Sequence, residues 1–301
     1  GAKVHQTGCL NSHWLMVMPG GRLTEKEREY AIMCALPVDT LGLTYIVGRQ
    51  SCDTRVMEDA DTDIDLGNAK FGGQEATIIF EDVFVPNEYI FMNGETQFAA
   101  ELVERFTAYH RRSYICKAGL GDVLIGAAAT ISDYNGTSKA SHIKDKLVEM
   151  AYLNENIVGT SLCASKLSTK TLSGNYMPDV LMANVCKHNV TRFPYEIARL
   201  AQDLAGGLVV TLPADQDFTN AVTGPLLHKY LATAPGVSVD NRRRILRLIE
   251  NMTMGRNAVG YLAESMHGAG SPQAQRVVIQ KLMNLEEKKG FAKSLAGIKP
   301  L

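Results

Sequence analysis

Ala76-Thr77-Ile78-Ile79-Phe80-Glu81-Asp82-Val83-Phe84-Val85, closed by Pro86, is the most strand-like run in the chain. β-branched and aromatic residues dominate it, and a proline that lacks an N–H stops any ladder at its end. From about Glu95 onward the apolar residues instead recur at the 3.6-residue helical period. Segments 141–167, 182–204 and 241–266 show it best, with charges between the apolar positions. A β region thus precedes a helical one. Upstream, Leu43-Thr44-Tyr45-Ile46-Val47 reads as a second strand, and turn residues cluster at Pro19-Gly20-Gly21, at 59–65 and at Phe71-Gly72-Gly73. Thr24 followed by Glu27 is a capping-box pattern and predicts a short helix over 24–30. Downstream, Asn135-Gly136, Ser173-Gly174-Asn175, Gly206-Gly207, Pro213, Pro235-Gly236 and 268–272 break the helices. The expected fold class is α+β, with a β domain over 1–95 and a C-terminal α-helical bundle over 96–301.

With 301 residues, 46% hydrophobic and 21% charged, the chain is long and apolar enough for real cores, which excludes a disordered tail or a disulfide scaffold. Thirty-one basic and 32 acidic residues give a net charge of −1. The basic residues are scattered apart from Arg242-Arg243-Arg244, so no nucleic acid or membrane partner is expected. That arginine run reads as the solvated start of a helix, with contact to a ligand phosphate as the lesser alternative. No apolar run approaches the roughly 18 residues of a membrane span, and the first residues lack a secretory pattern, so a cytoplasmic location is expected. The chain opens at Gly1 without Met and is read as the C-terminal portion of a longer one. Six cysteines without a CxxC or close pair predict mostly reduced, buried thiols.

Three segments could carry chemistry. Tyr109-His110-Arg111-Arg112-Ser113-Tyr114-Ile115-Cys116-Lys117 gathers a base, a phenol, a thiol and an amine. Helical spacing puts His110, Ser113, Tyr114 and Lys117 on one face, and Cys116 joins them only if the helix tightens or breaks. A polar helix edge with one buried cysteine is the plainer alternative. Glu264, just before His267-Gly268-Ala269-Gly270-Ser271-Pro272, falls in the last turn of a long predicted helix. There the helix dipole disfavours a carboxylate and would raise its proton affinity, as suits a general base. An exposed glutamate before a C-cap is the alternative. Asp203-Leu204-Ala205-Gly206-Gly207 offers free amides to a phosphate, although a helix stop explains the glycines equally well and no GxGxxG is present. Glu75 sits at a strand entrance, where carboxylates are usually solvated. Trp14 is expected to pack in the β domain, with substrate contact as the alternative, and His142, His188 and His228 on surfaces or in satisfied cores.

His5-Gln6-Thr7-Gly8, Gly48-Arg49-Gln50-Ser51-Cys52-Asp53-Thr54-Arg55, Phe71-Gly72-Gly73-Gln74-Glu75, the 110–117 cluster, Asn184-Val185-Cys186-Lys187, Thr191-Arg192-Phe193-Pro194-Tyr195-Glu196 and the segment 264–275 together resemble the 4-hydroxybutyryl-CoA dehydratase family. That family lies within the 4-hydroxyphenylacetate 3-hydroxylase flavoproteins. The resemblance runs through the whole chain and corresponds to the last three fifths of a family member. It implies an acyl-CoA-dehydrogenase-like fold whose N-terminal helical domain is missing here. It also implies FAD, a [4Fe-4S] cluster, a homotetramer and a CoA-thioester substrate. The activity implied is radical dehydration of 4-hydroxybutyryl-CoA to crotonyl-CoA, a lyase reaction, together with vinylacetyl-CoA Δ-isomerase activity. In the family scheme a base takes the C2 proton, the flavin removes one electron, and the resulting enoxy radical makes the C3 proton acidic, while the cluster iron assists departure of the hydroxyl.

Carried over by motif, His110 and Cys116 match the cluster histidine and cysteine, His110 serving also as a base. Tyr114 and Lys117 match active-site residues, Glu264 a base, Glu75 a second active-site glutamate, and Thr7 a residue near flavin and substrate. Gln6, Thr7 and Asp203, Leu204, Ala205, Gly206 and Gly207 match FAD contacts, the last five from a neighbouring subunit. Two further cluster cysteines belong to the family's N-terminal domain, so this chain alone offers two of four ligands. Five residues separate His110 from Cys116 where the family pattern has six. Alternatives are a cluster-free vinylacetyl-CoA isomerase, a flavin-dependent aromatic hydroxylase, and a non-catalytic assembly component that kept the fold.

Overall fold

A computed structural model describes residues 1–47, 75–255 and 257–298. The motif at 48–55, the acidic cluster at 59–65 and Phe71-Gly72-Gly73-Gln74 lie outside the described residues.

Among the described residues, six strands occupy the first part: β1 (Ala2–Thr7), β2 (Trp14–Val17), β3 (Ile32–Pro37), β4 (Leu43–Val47), β5 (Glu75–Phe80) and β6 (Ile90–Asn93). They form two three-stranded antiparallel sheets, in the orders β1-β5-β4 and β2-β3-β6. In the first, Thr7 lies opposite Glu75 and Leu43 opposite Phe80. The strand expected over 76–85 stops at Phe80. The Glu81 N–H still bonds the Gly42 carbonyl of the neighbouring chain segment at 3.0 Å, and Asp82, at a positive φ of 50°, then turns the chain out of the ladder. Gly42 itself has φ +92°, and a Cβ there would overlap the Glu81 carbonyl, so only glycine fits this turn. Glu27 accepts the Thr24 N–H at 2.9 Å, and the capping box starts a 3-10 helix at Glu25–Tyr30. Cys9, Leu15, Ala76 and Ile78 make the core of this part.

Among the described residues the α-helices begin at Thr96, whose hydroxyl donates to Glu25 at 2.6 Å and ties the two parts together. The long ones are α1 (Thr96–Ser113), α2 (Cys116–Tyr134), α3 (Ser141–Lys166), α4 (Val180–Val190), α5 (Phe193–Ala205), α6 (Val239–Thr253), α7 (Pro272–Leu282) and α8 (Leu285–Leu295). Leu124, Ile131, Met150, Ile197, Leu246 and Ile249, each buried, interlock α2, α3, α5 and α6. Each such side chain contributes about 1.5–3 kcal/mol by leaving water. The helical run expected over 182–204 is two helices, broken at Thr191-Arg192 with Pro194 in the first turn of α5. A small hairpin at Thr169–Lys170 and Tyr176–Met177, turning through Gly174 at φ 87°, escaped sequence reading because two-residue strands carry no period.

Two expectations about charge and hydropathy are corrected. Arg242–Arg244 is not a solvated run. Arg242 donates to Asn135 and to the Leu231 carbonyl, while Arg243 is buried, pairs with Asp215 and Asp240, and stacks 3.6 Å over the Phe218 ring. The second concerns the segment Thr96–Tyr134, which holds an 18-residue window with a mean hydropathy of 1.4, long and apolar enough to pass for a span. Its apolarity has a local cause, since Leu124, Ala127, Ala128 and Ile131 face the bundle core.

Candidate active site

The site grows from a break in the helix. α1 ends at Ser113 and α2 starts at Cys116, and between them the Tyr114 N–H reaches Arg111 O and the Lys117 N–H reaches Tyr114 O, three residues back in each case. This tighter turn keeps His110, Tyr114 and Lys117 together. The His110 and Tyr114 ring centroids are 5.3 Å apart, and Lys117 Nζ lies 5.8 Å from the Tyr114 ring. Ser113 leaves the group, being exposed and donating to its own His110 carbonyl at 2.7 Å. The Cys116 thiol is exposed, and Cys9, Cys34 and Cys186 are buried.

Opposite this break stands Glu264, in a setting the sequence did not predict. The long helix ends at Thr253, and Glu264 opens a four-residue helix, Glu264–His267, after a π-helical turn at Val259–Ala263. Such turns recur at functional sites. So short a helix, entered at its first residue, supplies none of the C-terminal dipole expected from the sequence. The carboxylate instead meets the buried Lys117 Nζ at 3.3 Å, and the same amine donates to the Gly260 carbonyl at 2.8 Å.

A second buried lysine completes the group. Lys187, fully buried on α4, donates to the carbonyls of Ser265 at 2.5 Å and Met266 at 3.1 Å, and its Nζ stands 4.6 Å from the Tyr114 ring centroid. Burial, and then the neighbouring Arg111 and Lys117, push its pKa down to about 7. Burial raises the Tyr114 phenol well above its ordinary value, with the Glu264, Cys116 and Glu75 charges acting in the same direction. His110 is lowered, by burial first and by Lys187 next, and its Nδ1 is buried without a partner. Arg111, also buried, donates to Ala269 O at 3.0 Å and to Asn184 Oδ1 at 2.8 Å.

Arg111 and the Ala269-Gly270 loop form one wall of a cavity of about 750 Å³, whose other walls include Gln6, Thr7, Trp14 and Phe106. It lies between the strands and the bundle. Thr7 donates to both Glu75 carboxylate oxygens, at 2.8 and 2.9 Å, as their paired strand positions require. Trp14 packs on the β part, as expected, but outside its buried core, in the position the alternative of substrate contact allows. It is 48% exposed, held edge-to-face on Tyr89 at 5.2 Å, and it lines the cavity. Asp203, Leu204, Ala205, Gly206 and Gly207 do not line it: Asp203 pairs with Lys146 at 2.7 Å, Leu204 and Ala205 are in the bundle core, and Gly206 caps α5 at φ 74°. His142 is exposed and His228 Nδ1 lies 3.0 Å from Gly224 O, but His188 Nδ1 is buried and unpartnered, contrary to expectation. Lys187, Arg111 and Asn184 were missed as site residues. The sequence signal was there, since Arg111 sits in the 110–117 cluster and the other two in the 184–187 motif, but only packing reveals what they touch.

A tricyclic ring system fits a cavity of this size, with an indole and a phenyl ring for stacking and Gln6, Thr7 and Arg111 as polar partners. An iron–sulfur cluster is a different matter. Among the described residues no group of three or more His, Cys, Asp or Glu side chains is placed to bind a metal, so His110 and Cys116 do not hold one by themselves.

A β part followed by a helical bundle, with a cavity and buried titratable groups at their junction, matches one family along its length. The 4-hydroxyphenylacetate 3-hydroxylase N-terminal model matches residues 1–92 and the C-terminal model residues 99–297. The chain belongs to the 4-hydroxyphenylacetate 3-hydroxylase family. Within it, the chain is 53% identical over 308 aligned positions to the 4-hydroxybutyryl-CoA dehydratase/vinylacetyl-CoA-Delta-isomerase of Clostridium aminobutyricum, which covers 99% of this chain and 63% of that protein. It is also similar to the solved oxygen-tolerant archaeal 4-hydroxybutyryl-CoA dehydratase from N. maritimus, at 65% identity and a TM-score of 0.96 over 100% of this chain and 60% of that one. The oxygenase component of 4-hydroxyphenylacetate 3-monooxygenase, solved with FAD, shares the fold at 21% identity and a TM-score of 0.85, over 98% of this chain and 61% of that one. The chain therefore spans about three fifths of the length of these relatives.

Proposed function

We propose that this chain is the catalytic portion of a 4-hydroxybutyryl-CoA dehydratase with vinylacetyl-CoA Δ-isomerase activity. The observation that carries this reading is the meeting of Glu264, Lys117 and Tyr114 one helical turn from Arg111, which lines the cavity together with Thr7 and Gln6 while those three do not. Glu264 is the base for the C2 proton of a CoA thioester. Lys117, which donates to both the Glu264 carboxylate and the Gly260 carbonyl, fixes that carboxylate against the turn before it. Tyr114, whose phenol stays protonated at neutral pH, presents a hydrogen-bond donor to the oxygen on which charge develops. His110 stays neutral near pH 7 and is available as a second base. Glu75, held by Thr7, adds a carboxylate on the strand side. FAD bound in the cavity supplies the one-electron chemistry that makes an unactivated C3 proton removable.

The finer architecture belongs to the same proposal. The domains divide at 95/96 in an acyl-CoA-dehydrogenase-like arrangement, preceded in the family chain by a helical domain that brings two cysteines to join His110 and Cys116 at a [4Fe-4S] cluster. The assembly is a cytoplasmic homotetramer, in which the 203–207 segment reaches a neighbouring subunit's FAD. The test is conversion of vinylacetyl-CoA and of 4-hydroxybutyryl-CoA to crotonyl-CoA by the full-length protein under strict anaerobiosis. Glu264→Gln should lower both by about a hundredfold or more. Isomerisation without dehydration would select a cluster-free isomerase, and oxygen-dependent turnover of a phenol a hydroxylase. An intact assembly inert in all three assays would be a non-catalytic component.

A further inference from the structure

The interior of the site contains a lysine that the proposed proton chemistry does not use. Lys187 crosses from α4 to two elements that carry the proposed chemistry. Its Nζ donates to Ser265 O and Met266 O in the helical turn that starts at Glu264, and it lies against the face of the Tyr114 ring at 4.6 Å. Those carbonyls belong to the last turn of a four-residue helix, where no N–H of the helix can reach them. An amine there replaces the missing donors, as a C-cap does. The hydroxyl end of Tyr114 is closed by Gly268, where a Cβ would overlap the phenol oxygen. Tyr114 thus meets Lys187 on its ring face and the Gly268 backbone at its hydroxyl, and the Glu264 turn is held by the same amine.

We propose that Lys187 is a positioning residue: it locks the Glu264 turn and the Tyr114 ring in one mutual register, so that base and phenol address the same thioester. The proposal rests on the assignment of Glu264 as base. Lys187 is fully buried and is not among the residues that line the cavity, so its effect must pass through these two neighbours. Misplacing a reacting group by a fraction of an ångström to an ångström is costly in rate while leaving affinity for the remainder of the substrate in place.

The experiment reads proton abstraction alone, in the full-length holoenzyme. Butyryl-CoA in D2O exchanges its C2 hydrogens when the base takes a proton, the C–H electron pair moves onto the thioester carbonyl, and a deuteron returns; no electron is lost or gained overall. Lys187→Met should slow this exchange about ten- to a hundredfold while the dissociation constant for butyryl-CoA stays within about twofold. In a Glu264→Gln background the same substitution should add no further loss, because both changes act on one step. Exchange unchanged in Lys187→Met, or a loss that appears equally in affinity and adds in full to that of Glu264→Gln, overturns the positioning role. If Glu264→Gln itself exchanges at the wild-type rate, the base assignment fails instead. Should Lys187→Met not fold, Lys187→Gln, which keeps an amide donor on a shorter stem, is subject to the same two criteria.

Discussion

Lys187 also makes the interior measurable. Its pKa in the folded chain is near 7, against about 10.4 for an ordinary lysine. Between those values the unfolded chain holds more protons than the folded one, so stability rises with pH across that window. Below pH 7 both states are protonated and the cost of burying the charge is fully present. Unfolding midpoints at pH 7 and pH 9 should therefore climb in the wild type and climb less in Lys187→Met; parallel curves would show that the amine is not perturbed. His110, Tyr114 and Lys117 were legible in the sequence as a face of helical period. Lys187 was legible only as part of a motif, because nothing in the spelling of α4 says that its amine spans to the turn after Glu264. Burial of an amine is a property of its neighbours, and these lie 73 to 79 positions away.

The breaks between elements do as much as the elements. The turn at Tyr114 and the π-helical turn before Glu264 aim their side chains at each other, and Gly268 leaves room for the Tyr114 phenol. Gly268 has an ordinary φ of −58°, so its replacement meets steric overlap and no backbone strain. Gly268→Ala should cost about 1–3 kcal/mol in stability by overpacking, and displace Tyr114 enough to reduce isomerisation. A variant with unchanged melting and turnover would show that the phenol does not depend on this contact. Away from the site, Arg243 of α6 holds the short helix Asp215–Thr219 through Asp215 and the face of Phe218. Arg243→Ala leaves Asp215 buried without this partner and should cost about 3–5 kcal/mol, read as a shift in denaturation midpoint. Its position in a three-arginine run suggested solvent, since charge runs usually lie on open faces. Only the arrival of Asp215 and Phe218 from a different helix turns one of the three inward.

The cavity between strands and bundle exists only because the two parts pack. The chain contains a single tryptophan, and Trp14 lines that cavity half exposed, so it reports on what enters. Titrating FAD into the protein should quench Trp14 emission in step with flavin binding, and Phe106→Ala should weaken both. Flavin binding with unaltered tryptophan emission would place the cofactor elsewhere. The change of period near Glu95, the capping box at Thr24 and most helix breakers follow from local steric and hydrogen-bonding rules, which act within a few residues of each position and are therefore written in the chain order. The end of β5 at Phe80, the hairpin at 169–177, the inward turn of Arg243, the exposure of Trp14 and the pairing of Glu264 with Lys117 and of Tyr114 with Lys187 do not. Each depends on which distant surface arrives opposite a residue. Burial, charge pairing and cavity shape are set by contacts between segments far apart in the chain, and no local pattern contains them.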